Sequence, residues 1–222
     1  MEILYSDNRI LVCLKPFGTE STDVPNGVPA LLREQLGEPN GCVRTVHRLD
    51  RVVGGVMVLA RSRMAAGILS EQVRDRTFHK EYLAVVHGTP DPEGTFTDLL
   101  YRSKEEHKTY TTDTPGKDVR QAVLHYRTLE SRGELSLVHI RLETGRTHQI
   151  RAQFSAHGFS VVGDRKYGAP ALHENEIALW SYALSFRHPQ TDLPVRFSVP
   201  PPAHTPWTGF KNAAAEHLPH DG

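Results

Sequence analysis

A carboxylate with a guanidinium beside it is the first group in this chain that could do chemistry. Residues 47–50 read His-Arg-Leu-Asp, just after a β-rich run and just before Gly54-Gly55. An arginine next to a carboxyl holds it ionised, and an ionised Asp50 can serve as a nucleophile or a base. The glycines allow a tight turn or a close backbone approach. Taken alone, an Asp at a strand end is more often a turn or capping residue. A second group is Lys80-Glu81-Tyr82, at the start of a strand. A strand Tyr is usually a packing residue; it can also stack on a base and bring its phenol near it.

The third group spans Glu143 to Arg151, ETGRTHQIR. The chain leaves a strand at Gly145, and Thr147 is placed to cap a helix running to about His157, with Gly158 at its end. Helical spacing puts Ile150, Phe154 and His157 on one face and His148, Arg151 and Ser155 on another. Burying Ile150 and Phe154 would aim Arg151 along the edge of the core. Arg146 and the helix start both favour an anion there. A fourth group, VGDRKYG at 162–168, reads as a Gly-Asp surface turn followed by basic residues.

Thirteen histidines invite a metal reading, and a metal hydrolase is one alternative function. His139, His148 and His157 are spaced by nine, which puts the last two on opposite faces of a shared helix. There is no HExxH and no cysteine pair, only Cys13 and Cys42, so no metal is expected. Two cysteines also exclude a disulfide-built secreted scaffold.

The elements that must position these groups fit one large domain of 222 residues. Hydrophobic residues are 38% and charged ones 23%, which excludes a disordered chain. The longest apolar runs, Ile10–Leu14 and Val56–Ala60, are far too short to span a membrane, and no signal core opens the chain. A cytoplasmic setting and no membrane partner are expected. Lys plus Arg and Asp plus Glu are each 26, so any affinity for polyanions must be local. The stretch 41–82 carries a surplus of four positive charges and 141–166 a surplus of three. Nineteen of the basic residues are Arg, whose fork matches phosphate oxygens.

Strands are expected at 3–5, 10–14, 43–46, 55–60, 81–86, 95–101, 108–112, 122–129, 135–142, 179–186 and 195–199, with helices at 29–36, 64–73 and 147–157. Met64, Ile68, Leu69 and Val73 mark the middle helix's apolar spacing, and residues past Trp207 are assigned a terminal helix. The alternation is not βαβ, so the fold class is α+β with a mixed, largely antiparallel central sheet and flanking helices.

In this order the motifs resemble the RluA-type pseudouridine synthases. That family carries HRLD, a small-residue turn, a K-x-Y strand, GR[TS]HQ[IL]R and a GD..YG turn. Here these are HRLD at 47–50, KEY at 80–82, GRTHQIR at 145–151 and GDRKYG at 163–168. The opening ILYSDNRILVCLKPFG and the late LSFRHPQTDLPVRFSVPPP are similar to its terminal strand pairs, so the likeness covers roughly residues 3–202. Two departures stand out. The family's usual Thr-Ser-Gly is Val53-Gly54-Gly55, which is expected to loosen or re-aim the turn behind Asp50. Where a His often precedes the late strand, this chain has Trp180.

The resemblance implies a single catalytic domain over 1–222, with two sub-halves flanking an active-site cleft and a terminal extension after about 207. It is expected to stand alone, without an S4-like segment, and to act as a monomer. It implies isomerisation of uridine in ribosomal or transfer RNA, with no cofactor. Asp50 would be the essential carboxylate, attacking C1′ or removing the C2′ proton. Tyr82 would stack on the uracil and help remove the C5 proton, and Arg151 would pair with Asp50. Arg48 would contact RNA and fill the space the uridine leaves; His47, Leu49, Lys80, Arg146 and His148 complete the expected RNA-binding set. The runner-up function is an RNA-binding or folding-assistance protein whose catalysis is weak or lost, prompted by the altered turn.

Overall fold

The first hairpin closes on its own sequence. The Asp7 carboxylate accepts the backbone N–H groups of Arg9 and Ile10 at 2.7 and 2.8 Å, a side-chain turn that sets the register of the flanking strands. A computed structural model describes residues 1–172 and 174–210. The chain runs β1 (Ile3–Ser6), β2 (Ile10–Lys15), α1 (Val28–Gln35), β3 (Arg44–Thr45), β4 (Gly54–Ala60), α2 (Arg63–Arg74), β5 (His79–His87), β6 (Glu93–Ser103) and β7 (Lys108–Thr112). It continues through β8 (Arg120–Arg132), β9 (Leu135–Leu142), α3 (Gln149–Ala156), β10 (Leu179–Arg187) and β11 (Pro194–Ser198). Single 3-10 turns stand at Arg165–Tyr167 and Trp207–Phe210. The rest of the expected terminal helix lies outside the described residues.

The described residues divide into two compact units: Met1–Lys80 with Trp180–Val199, and Glu81–Leu179 with 200–210. In the first unit β2 pairs antiparallel with β1 and β4. The other edge of β4 is shared. Gly54 and Gly55 pair in parallel with Trp180 and Ser181 of β10, while Leu59 and Ala60 pair antiparallel with β3. β11 closes antiparallel on β10. The core forms where Ile10, Val12, Val56 and Val58 meet Leu184, Phe186, Phe78 and helix α2. Ser62 caps α2, its Oγ accepting the Ala65 N–H at 3.1 Å. The buried stripe of α2 is Ala65 and Leu69; Met64, expected on it, is 55% exposed.

In the second unit β9, β8, β6 and β7 pair antiparallel in that order, with β5 beside β9. Helix α3 packs Phe154 against Phe96 and Tyr126. It ends as its sequence dictates, on Gly158 at φ +87, with Phe159 N–H bonded to the Phe154 carbonyl at 2.7 Å. Its start corrects the expected cap. Thr147 does not cap it; His148 does, in a left-handed conformation at φ 54 and with no side-chain cap bond. Gln149 closes the entry instead, its Oε1 accepting the Arg146 N–H and the Thr144 hydroxyl at 3.0 and 2.8 Å. Three α-helices among the described residues and mixed, mostly antiparallel pairing make the fold α+β.

Candidate active site

Asp50 sits half-buried on a loop that the first unit pins at both shoulders. On one side Ser21 Oγ donates to the Leu49 carbonyl at 2.6 Å and accepts the Leu49 N–H at 3.0 Å. On the other, the Arg51 carbonyl accepts the Gly18 N–H at 2.8 Å and the ammonium of Lys15 at 3.2 Å. Lys15 is fully buried, and burial pulls its pKa down to about 8. Within the loop, Val53 N–H returns to the Asp50 carbonyl at 3.0 Å. Sequence marks Lys15 only as part of the opening segment that resembles the family's N-terminal strand pair, and nothing in it marks Ser21.

The backbone of β4 explains His47. Between the stretches that pair with β10 and β3, its edge leaves polar groups to satisfy. Val58 N–H donates to His47 Nε2 at 3.1 Å, and the Val56 carbonyl accepts Ser181 Oγ at 2.9 Å. His47 is 7% exposed and lies against Phe78, and burial pushes its pKa down to about 3. A neutral ring accepting a strand N–H makes His47 part of the frame. Leu49 is likewise buried, and Arg48 between them is exposed.

The turn behind Asp50, expected to be loosened or re-aimed by Val53-Gly54, is closely packed at Gly54. A Cβ on Gly54 would lie 2.6 Å from Cζ3 of Trp180 and 3.2 Å from Cε1 of Phe17. Trp180 stacks at a tilt on Phe17, with centroids 5.6 Å apart, and its indole N–H donates to the Val199 carbonyl at 2.9 Å. Gly55 has φ +122, and a Cβ there would lie 2.3 Å from the Ser181 carbonyl oxygen. The two departures from the family pattern, Gly54 and Trp180, therefore occupy one space.

In the second unit His148, Arg151 and Ser155, expected on one helix face, all meet Tyr167, although His148 precedes α3 and does not lie on it. His148 Nδ1 lies 2.9 Å from the Tyr167 hydroxyl, Ser155 Oγ donates to its carbonyl at 2.9 Å, and the Arg151 guanidinium carbon is 5.1 Å from its ring centroid. Arg151 is 5% exposed. Its Nε and Nη2 donate to Asp164 Oδ2 and Oδ1 at 2.6 and 2.9 Å. Asp164 is 1% exposed and Tyr167 is 5% exposed. Only Arg165, Lys166 and Gly168 of this stretch are exposed, as the surface turn expected from sequence would be. Asp164 was thus overlooked, although the Gly-Asp pair was noted.

Tyr82 is buried on β5, 5% exposed. Its neighbour Glu81 holds His139 Nε2 at 3.0 Å. Lys80 is half-buried, with its pKa lowered by burial. Arg146 is exposed, its Nε donating to the Gln121 carbonyl at 3.0 Å. Several histidines meet carboxylates one to one: His139 with Glu81, His157 with Asp98, His188 with Asp7, His204 with Glu176. Among the described residues no three His, Cys, Asp or Glu gather as a metal site, and no helix is long and apolar enough to cross a membrane.

The mixed-sheet α+β chain belongs to a family of RNA-modifying isomerases: residues 9–156 match the RNA pseudouridylate synthase family. Its activity is that of an RNA pseudouridine synthase. It is 36% identical over 214 residues to the RNA pseudouridine synthase YlyB of Bacillus subtilis, covering 91% of this chain and 69% of that one. It is 35% identical over 224 residues to ribosomal large subunit pseudouridine synthase D of Xylella fastidiosa, covering 91% and 66%. A solved human structure, RNA pseudouridylate synthase domain containing 1, superposes with TM-score 0.74 at 26% identity, covering 91% of this chain and 84% of that one.

Proposed function

We propose that the chain isomerises a uridine in ribosomal or transfer RNA and that Asp50 is the carboxylate the reaction needs. The observation that supports this most is the double pinning of the Asp50 loop, by Ser21 on Leu49 and by Lys15 and Gly18 on Arg51. A carboxylate that only turned the chain would not require both neighbouring peptides to be held. Attack at C1′ and proton removal at C2′ both call for an ionised group in a fixed position.

In the reaction the N1–C1′ bond breaks, the uracil turns, and C5 joins C1′. C5 gives up its proton and N1 ends protonated, so atoms balance without a cofactor. Tyr82 supplies the ring the uracil stacks on and helps take the C5 proton. Arg151, with two of its nitrogens on Asp164, is the fixed cation that holds negative charge in place. Arg48 and Arg146, both exposed, meet the RNA, while Lys80 and His148 support that contact from half-buried positions. Extruding a base costs a few kcal/mol, which phosphate contacts from the two basic stretches offset.

Ribosomal large-subunit RNA is the first substrate to try, as the name of the Xylella fastidiosa relative directs. Purified protein is incubated with unmodified transcripts of large-subunit ribosomal RNA and of transfer RNA, and pseudouridine is mapped by carbodiimide labelling. A new stop at a defined uridine is expected. Tight binding with no stop in either RNA would contradict this reading.

A further inference from the structure

The Tyr167 hydroxyl joins three segments of the second unit. Thr109 of β7 is buried, and its side chain donates to the Thr147 carbonyl at 2.9 Å. Its backbone N–H donates to the Tyr167 hydroxyl, also at 2.9 Å. The same hydroxyl lies 2.9 Å from His148 Nδ1, and the two rings meet edge to face, centroids 5.8 Å apart and planes at 84°. Tyr167 is held at its backbone as well. Its N–H donates to the Asp164 carbonyl at 3.0 Å, and its carbonyl accepts the hydroxyls of Ser155 and Ser160, each at 2.9 Å.

A buried tyrosine that only packed would need no such arrangement. His148 stands in the left-handed region at φ 54, where a residue with a side chain persists because its surroundings hold it. Counting protons gives the direction of the bond. The phenol oxygen already accepts the Thr109 N–H. If Nδ1 also donated to it, the phenol proton would have no acceptor among the described residues, a costly outcome for a buried donor. Burial pushes the Tyr167 phenol above its ordinary pKa, so the proton is there to give. The phenol therefore donates to Nδ1. A neutral imidazole carries one proton, so His148 holds its own on Nε2. His148 also stands at the start of α3, the end of a helix that favours an anion.

We propose that Tyr167 is a positioning residue of the isomerase: it fixes His148 in the Nε2–H tautomer, so that the histidine meets the RNA as a hydrogen-bond donor to a phosphate oxygen. Thr109 keeps the phenol in place for this. The inference rests on the RNA isomerase reading and deepens it.

Protein with isotope-labelled histidine rings is read by long-range proton–nitrogen correlation at a pH where imidazoles are neutral. His148 is assigned by the signals lost in His148→Gln. An unprotonated Nδ1 and a protonated Nε2 are expected. A protonated Nδ1 would overturn the proposal, and this spectrum needs no change at Tyr167. Affinity for the ribosomal transcript then completes a double-mutant cycle. Tyr167→Phe removes the hydroxyl and keeps the ring. It should weaken binding about three- to tenfold when His148 is present, and not at all beside His148→Ala. An equal loss in both backgrounds, which a merely structural tyrosine would give, would overturn the proposal, as would wild-type affinity in His148→Ala. Pseudouridine formed by the wild-type protein on the same transcript is measured alongside; its absence would contradict the isomerase reading alone.

Discussion

Arg151 and Asp164 face each other through two parallel hydrogen bonds of 2.6 and 2.9 Å in a nearly solvent-free setting. The pair couples α3 to the Gly163–Gly168 turn, and the Tyr167 ring lies against the same guanidinium. Planar two-point pairing fixes the orientation of an arginine, which a lysine in its place would not do.

Removing Asp164 takes the two-point partner from a buried guanidinium, and breaking such a pair costs up to about 3–5 kcal/mol. Asp164→Ala is therefore expected to lose about that much in urea unfolding and to abolish turnover. Asp164→Asn keeps the shape and one acceptor and should be milder on both counts. An Asp164→Ala protein as stable and active as wild type would show that Asp164 does not orient Arg151.

Gly54 and Trp180 should behave as one unit. Gly54→Ser places a Cβ 2.6 Å from the indole, an overpacking cost of about 1–3 kcal/mol. Trp180→His leaves a void and should also destabilise. Combined, the second change makes room for the first, so the double variant should beat the sum of the singles by about 0.5–3 kcal/mol. Unfolding midpoints of the four proteins measure this; strict additivity would contradict it.

His47 gives the acid limb of stability a definite sign. Its folded pKa is about 3, against an ordinary value of 6.5. Between those values the unfolded chain binds a proton that the folded ring does not. Stability therefore falls as pH drops from 6.5 towards 3, by about 1.4 kcal/mol per pH unit at most from this group. His47→Gln, whose amide oxygen can still accept the Val58 N–H, should flatten that limb. Chemical denaturation at pH 7, 5.5 and 4.5 reads it; identical slopes in the two proteins would refute the assignment.

The pattern of elements was legible because it is local. Alternation marked Leu135–Leu142 and Lys108–Thr112 to the residue, and Gly158 ended its helix where glycine commonly does. What stayed hidden depends on contacts between distant residues. Nothing near Ser21 announces that its hydroxyl will hold Leu49, and nothing near Gly54 announces Trp180. Asp164 looked like a surface turn because the partner that buries it lies on α3. His47 looked like part of an RNA-binding motif, since the gap it fills exists only once β3 and β10 share an edge of β4. The expected Thr147 cap failed because the chain turns left-handed at His148.

Asp50 is the carboxylate proposed to react with the uridine, and Asp50→Asn separates its charge from its shape. The change removes charge and keeps shape, and the pins on Leu49 and Arg51 are to backbone atoms that it leaves in place. Pseudouridine formed in the ribosomal transcript is measured beside RNA affinity and melting temperature. Wild-type binding and folding are expected, with no pseudouridine formed. An Asp50→Asn protein that converts the uridine at the wild-type rate would contradict that proposal.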